Sequence, residues 1–344
     1  MKIFRNAEEI ENIEPTSIAL GNFDGVHKGH QELIRQSTAC AGEAGLKSAV
    51  FTFSNHPKNV LSGKSLIKNI LYPDEKAEIL DGLGVDYLFS LDFTEEIMTL
   101  APVDFIERLL IRRFRMKEAF CGFNFHFGYK ARGNPEFLKE NEEKYGYHLH
   151  VLEPYKIDGN VVSSTLIRNY IAIGAVDYCP AYMGRYYSIG GTVVVGNKLG
   201  RTMGFPTLNI TIDDSMVTPS NGVYITYCAI DGRRYESITN VGIKPTIGKY
   251  KKNVETHIFD FNQDIYGKEI RVEFILKIRD EQKFDGVNQL SAQIKKDCAA
   301  ARRYHRNYPR PASDPENGGG GSPGRRKPEK ERNGRRKMEG KDCK

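Results

Sequence analysis

The feature that most constrains this chain is a change of texture near Gly184. Upstream, from residue 17 to about 153, short apolar runs alternate with amphipathic stretches. SIALG (17–21), SAVFTF (48–53), VDYLFSL (85–91), EAFCGF (118–123) and HLHVLEP (148–154) read as strands. HQELIRQSTACAGEAG, DEKAEILDGLG and VDFIERLLIRRF carry apolar residues at three- and four-residue spacing, and the first two end in glycine as helices often do. Such alternation predicts a parallel, Rossmann-like α/β sheet with helices on its faces and ligands beyond the carboxyl ends of its strands.

Downstream, after a helical connector SSTLIRNYIAIGAVDYCPAYMG, come YYSIGGTVVVG, TLNITI, GVYITYCAI, ESITNVG, ETHIFDF and IRVEFILKI, separated by turn residues. This predicts an antiparallel β-barrel, closed by a C-terminal helix over VNQLSAQIKKDCAAARRY. With 344 residues and 40% hydrophobic content the chain can form two cores. The expected division is residues 1–183 including the connector, 184–305, and a tail at 306–344. There is no internal repeat.

The net charge of +6 suggests nucleic acid until it is located. Residues 306–344 hold 12 of the 50 Lys/Arg and 6 of the 44 Asp/Glu, so residues 1–305 hold 38 of each. The basic excess lies in a glycine- and proline-rich tail with too little apolar surface to offset its ordering entropy, so it is expected to be disordered and is given no function. Neither nucleic acid nor a membrane is an expected partner, and a weak homo-oligomer is left open. No run approaches the roughly 20 apolar residues of a membrane helix, and MKIFRNAEEIENIEP has no signal-peptide core. The six cysteines show no C-x-x-C pair and no zinc or disulfide spacing, which points to the cytoplasm.

Two stretches carry chemistry. In GNFDGVHKGH (21–30) a strand breaks into glycines and then places His27 and His30 at the start of a helix. Glycines there permit left-handed backbone and close approach of a ligand, and the helix start favours an anion such as phosphate. Paired imidazoles can stabilise charge that builds up on a rearranging phosphoryl or nucleotidyl group. The plainer alternative is that one histidine caps the helix and the other lies on the surface. A zinc site there lacks a third ligand nearby.

In GNKLGRTMGFPTLNI (196–210) a glycine loop that is not a P-loop precedes a strand in which Thr207 and Asn209 share a face, with Leu208 turned to the core. Their oxygens suit Mg²⁺ that keeps waters and phosphates as its other ligands. An ordinary barrel strand would also alternate in this way.

GNFDGVHKGH resembles the H-x-G-H signature of the nucleotidyltransferase superfamily in its bacterial FAD synthetase form, with FTFSNHP (51–57), GFNFHFGYKARGN (122–134) and VSSTLIR (162–168) as further motifs. GRTMGFPTLN, NGVY, TNVGIKPT and VETHIFDFNQDIYGKEIRVEFILKIRDEQKF are similar to the riboflavin kinase half of the same bifunctional enzymes. The resemblance spans about 15–305, with leucine at position 208 where relatives usually carry alanine.

It implies ATP and Mg²⁺ as requirements, with riboflavin, FMN and FAD as substrates and products. His27 and His30 would act in adenylyl transfer, with Gly21, Phe23, Asp24, Gly29, Asn124, Arg132, Ser164, Thr165 and Arg168 around the nucleotide. Glu255 would be the general base of the kinase, Thr207 and Asn209 the metal positions, and Gly196, Lys198, Gly200, Arg201, Gly204 and Asn240 the second nucleotide set. Each has a plain alternative: SST is also an ordinary helix cap, Glu255 an exposed strand residue, and loop lysines and arginines are usually solvated. Rivals are a chain with one active half, or a flavin-carrying or nucleic-acid-binding module recruited by its tail.

Overall fold

The structure is a computed structural model and describes all residues except 196–199, 201–202, 247–248 and 310–344. The tail expected to be disordered therefore lies, from residue 310 onward, outside the described residues.

Strands β1 (Lys2–Phe4), β2 (Thr16–Leu20), β3 (Lys47–Phe53), β4 (Tyr87–Leu91), β5 (Met116–Gly122) and β6 (His148–Leu152) form one sheet in the order β1-β4-β3-β2-β5-β6. Every pairing in it is parallel. The chain steps from β2 to β3 on one side and reaches β5 on the other, so the strand order reverses at β2, the position at which open α/β sheets bind ligands. Helix α1 (Lys28–Ala44) covers β2, β3 and β5, and stops at Gly45 in the left-handed conformation (φ 65°), as its glycine predicts. Helices α2 (Pro57–Ser62) and α3 (Pro73–Gly82) follow β3.

The stretch Phe105–Arg113 has the helical spacing the sequence predicts but winds as a π-helix, with the Phe114 amide bonded back to the Leu109 carbonyl at 2.8 Å. The wider turn buries Phe105, Ile106, Leu109 and Leu110 together against the sheet. Strand β1 and a small hairpin, β7 (Lys156–Ile157) with β8 (Asn160–Val161), are elements the sequence pattern did not mark.

The second half is a closed antiparallel barrel of β9 (Tyr187–Val194), β10 (Leu208–Ile210), β11 (Gly222–Ile230), β12 (Arg233–Thr246), β13 (Lys249–Ile258) and β14 (Glu269–Arg279), in the order β10-β13-β12-β11-β14-β9. Its interior holds Tyr224, Cys228, Val241, Val254, Val272 and Phe274. Thr226, Ser237, Thr239 and Thr256 are also buried there, their hydroxyls bonded to one another at 2.8–2.9 Å so that no polar oxygen is stranded. The opposite face of β11 and β12 is covered by the C-terminal helix Val287–Asn307 through Val223, Ile225, Ile238, Cys298 and Ala301.

The two halves share one hydrophobic cluster, from Ala19 and Ile34 through the connector residues Ile167 and Ile171 to Tyr224 and Phe274. Tyr72 donates to the Gly190 carbonyl (3.0 Å), and Ser188 donates to a buried Glu75 carboxylate (2.9 Å) whose own pKa burial pushes upward. The connector helix Ser164–Ile173 ends on Gly174 (φ 84°), where an added Cβ would lie 2.5 Å from Ser220 Oγ and 2.7 Å from Tyr224 Oη. Gly174→Ala is expected to destabilise the protein by about 1–3 kcal/mol through overpacking and left-handed strain. A urea unfolding curve with an unchanged midpoint would contradict this.

Candidate active sites

Between Leu20 and Lys28 the chain must leave β2 and reverse into α1, and it does so through Phe23 (φ 46°), Gly25 (φ 81°) and Val26 (φ 33°). Glycine accepts the left-handed region, but Phe23 and Val26 pay for it and are held there by burial, at 1% and 0% exposure. The turn's carbonyls are clamped: Arg185 donates from Nη2 to Gly25 O (2.6 Å) and from Nη1 to Val26 O (3.2 Å), and Gln31 Nε2 donates to Val26 O (2.8 Å). Both side chains also bond the Met183 carbonyl, which ties the turn to the connector.

His27 is the N-cap of α1, its Nδ1 accepting the His30 amide at 3.2 Å. With Nδ1 an acceptor, the neutral ring carries its proton on Nε2. The His27 and His30 rings stack at 3.5 Å between centroids, and Phe23 meets the His30 ring edge-on at 5.1 Å. The His30 Nδ1 is shielded from solvent without a hydrogen-bond partner. Gly29 is required by close approach, since a Cβ would stand 3.1 Å from Tyr155 Cβ and 3.4 Å from His27 Cε1.

Burial lowers the His27 pKa to about 4, and the charges of Arg185 and Arg168 act in the same direction. Burial lowers that of His30 well below its ordinary value, followed by His27, Lys76, Arg168 and Arg185. Both rings are therefore neutral near pH 7, beside a group of cations.

Asp24, 4% exposed, accepts the Ile70 amide (2.9 Å) and an Arg168 Nη2 bond (2.6 Å), while Arg168 Nε donates to Lys68 O (2.8 Å) and Ser164 Oγ donates to Asp24 O (2.7 Å). Beside this network lies a small cleft lined at the strand ends by Asn22, Asp24, Ser54, Asn55 and His56, and by Lys76 of α3.

The second site is a groove between the outer face of the barrel and the C-terminal helix. Its lining combines polar Thr207, Asn240, Glu255 and His257 with apolar Val223, Ile238, Leu290 and Ile294, and Val223 is paired directly opposite Asn240. Pairing sets Asn209 opposite Glu255 on β10 and β13, and Asn240 opposite Glu255 on β12. The Asn253 amide donates both to Asn209 Oδ1 (3.1 Å) and to Glu255 Oε1 (2.9 Å), fixing the two oxygens side by side. Leu208 packs into the barrel core as the alternation predicts.

The chain matches the family model for FAD synthetase over residues 9–166 and that for riboflavin kinase over residues 183–305. The Bacillus subtilis bifunctional riboflavin kinase/FMN adenylyltransferase is 36% identical over 84% of this chain and 92% of its own, and that of Haemophilus influenzae is 33% identical over 88% and 99%. The protein belongs to the bifunctional riboflavin kinase/FMN adenylyltransferase family. A crystal structure from Streptococcus pneumoniae, described as a macrolide-efflux protein, superposes with a TM-score of 0.80 at 34% identity, covering 88% of this chain and 98% of that one. No helix among the described residues is long and apolar enough to cross a membrane.

In the FAD synthetase half, the fold brings His27, His30, Gly21, Phe23, Asp24, Gly29, Ser164 and Arg168 to one turn. The helix cap that SST offers is supplied by Ser163, which accepts the Leu166 amide. Thr165, Asn124 and Arg132 are exposed, the last two on the loop beyond β5. Sequence reasoning missed Arg185, Lys76 and His56. His56 was legible as the residue before Pro57, where it caps α2, whereas Lys76 and Arg185 sit in stretches with no local signature.

In the riboflavin kinase half, Gly200, Thr207, Asn240 and Glu255 line the groove, with Asn209 beside them. Gly200 meets the Phe205 carbonyl, which a Cβ would approach to 2.4 Å, and Gly204 is left-handed (φ 83°). Gly196, Lys198 and Arg201 lie outside the described residues.

Two outcomes follow from the turn. Because folding depresses the His27 pKa from 6.5 to about 4, the unfolded chain takes up the proton first as pH falls. Stability is then complete above about pH 6.5 and lost toward pH 4, by up to about 1.4 kcal/mol per pH unit. His27→Asn, which retains a cap acceptor, should flatten that slope in denaturation measured across pH 4–7. Arg185→Met strips donors from buried carbonyls and should cost about 2–3 kcal/mol in urea unfolding.

Proposed function

We propose that the chain makes FAD in two steps: riboflavin and ATP give FMN and ADP in the barrel groove, and FMN and a second ATP give FAD and pyrophosphate at the turn after β2. The observation that carries this reading is the polar group in the groove, where Asn253 holds the Glu255 carboxylate beside Asn209, with apolar lining residues next to it.

In the first step the flat, apolar flavin ring lies along the Val223, Ile238, Leu290 and Ile294 wall. Its terminal ribityl hydroxyl meets Glu255, which takes the proton as the hydroxyl oxygen attacks the γ-phosphorus and ADP departs. Thr207 Oγ1 and Asn209 Oδ1 are neutral oxygen donors beside a carboxylate, a set that fits a hard divalent cation. They would hold Mg²⁺, which supplies charge to offset that of the triphosphate.

In the second step the FMN phosphate oxygen attacks the α-phosphorus of ATP and pyrophosphate leaves, with no covalent enzyme intermediate. Neutral His27 donates from Nε2 to a phosphate oxygen, and Lys76 and Arg168 supply positive potential. Asp24 keeps Arg168 in place rather than contacting phosphate itself. Asn124, Arg132 and Thr165, which are exposed, are free to meet the nucleotide from the solvent side.

We divide the chain at Gly184, with residues 1–183 for adenylyl transfer and 184–305 for the kinase, and place the protein in the cytoplasm. The charge balance of residues 1–305 favours small anionic substrates over nucleic acid as partners.

Glu255→Gln is expected to lower FMN formation from riboflavin by about 10²-fold or more while FMN-to-FAD conversion continues. His27→Asn should do the reverse. Chromatography of flavins after incubation with ATP and Mg²⁺ reads both, and loss of both activities from either change in a folded protein would overturn the two-site reading.

A further inference from the structure

Cysteine spacing gives no hint of a metal site, but the fold assembles a set of ligands that the sequence keeps far apart. Where α1 passes over the β6 edge of the sheet, Cys40 of α1, Glu118 of β5 and His150 of β6 come together, and one ligand atom from each lies within 4.8 Å of the others. Among the described residues this is the one such group of three.

Two further observations show that the group is organised. His150 Nε2 is 2.8 Å from Glu118 Oε2, and the imidazole is stacked on the Phe120 ring at 4.2 Å and 12°, so its orientation is fixed by packing as well as by the carboxylate. The Glu118 side chain is 16% exposed and that of His150 is 43% exposed, so the cluster is backed by protein and open on one side.

We propose that Cys40, Glu118 and His150 bind a thiophilic divalent metal ion of the zinc class, with water in the fourth position. Zinc takes thiolate sulfur at about 2.3 Å and imidazole nitrogen or carboxylate oxygen at about 2.0–2.2 Å, so a tetrahedral site wants its ligand atoms roughly 3.3–3.7 Å apart. The His150 and Glu118 atoms must part slightly and Cys40 must close in, which side-chain rotation at the open side of the cluster can supply.

A free thiol carries its proton at neutral pH, and the metal ligand is the thiolate. Binding therefore releases one proton: the S–H bond breaks, the proton goes to solvent and the sulfur electron pair goes to the metal. A thiolate and a carboxylate then balance the ion's two charges. Sulfur and imidazole exclude Mg²⁺, which demands oxygen ligands. The site is separate from catalysis, since Cys40 is ten residues, or about 15 Å of helix, beyond His30.

Cobalt(II) is the probe, added to the full chain in excess Mg²⁺. The expected result is one ion per chain, a thiolate-to-cobalt charge-transfer band in the near ultraviolet, intensified visible bands of a tetrahedral site, and displacement of both by zinc. Cys40→Ser should abolish the ultraviolet band, His150→Ala should weaken binding at least about tenfold, and Cys343→Ser should change neither. Free of cobalt and zinc but supplied with Mg²⁺, Cys40→Ser should make FMN and FAD at the wild-type rate, which certifies its fold. Absence of the band in the wild type, its persistence in Cys40→Ser, or its loss in Cys343→Ser would each overturn the proposal.

Discussion

The structure depends on the backbone turn between β2 and α1. Phe23 and Val26 occupy a conformation that L-residues avoid, and within the turn the Val26 amide donates to the Phe23 carbonyl at 3.3 Å. Further compensation arrives from elsewhere in the chain: the Phe23 and Val26 side chains are sealed into the core, Asp24 is bonded to Ile70 and Arg168, and the Gly25 and Val26 carbonyls are held by Gln31 and Arg185. The stacked imidazoles are then a consequence of where this backbone leaves residues 27 and 30. A helix start that His27 caps with its own Nδ1 fixes the ring and its tautomer in one bond.

That arrangement explains why the two halves share a core. Arg185 and Met183 lie at the boundary between connector and barrel, yet their bonds reach the turn after β2. Tyr72 and Glu75 of the sheet half bond to Gly190 and Ser188 of β9, and Asn69 pairs with Met216. The barrel is thus both the scaffold of one groove and a buttress for the other site. It does this with opposite faces of the same strands: the interior joins the common core, while the outer face of β10, β12 and β13 carries Asn209, Asn240 and Glu255.

Much of this was legible because it is periodic. The strand and helix alternation, the Gly45 stop of α1 and the inward turn of Leu208 all follow from side-chain period and glycine conformation. The pairing of Asn209 with Glu255 was legible only as two motifs, since register between residues 46 apart in the chain is set by the closed barrel. The resemblance sets Arg168 around the nucleotide, but two of its nitrogens are engaged by Asp24 and Lys68 O, a long-range choice no local pattern encodes. Arg185 and the Cys40, Glu118 and His150 cluster were invisible for the same reason: each depends on one chain segment crossing another far from it in sequence.

The electrostatics of the turn give the neutral histidines their meaning. Lys76, Arg168 and Arg185 surround two rings that burial already keeps uncharged, with Asp24 as a buried counter-charge. Without a ligand, protonating either ring would add a cation to a cationic, desolvated site, so the rings stay neutral and can donate without carrying charge. A polyphosphate seated there reverses the sign of the field at the imidazoles, because several negative oxygens then face the same nitrogens. On the proposed reading of this turn as the ATP site, the affinity of the rings for a proton rises as the triphosphate arrives, and the donors strengthen in step with the charge they have to stabilise. The burial that costs the free protein stability below pH 6.5 is, on this argument, the same burial that makes the histidines responsive to the anion.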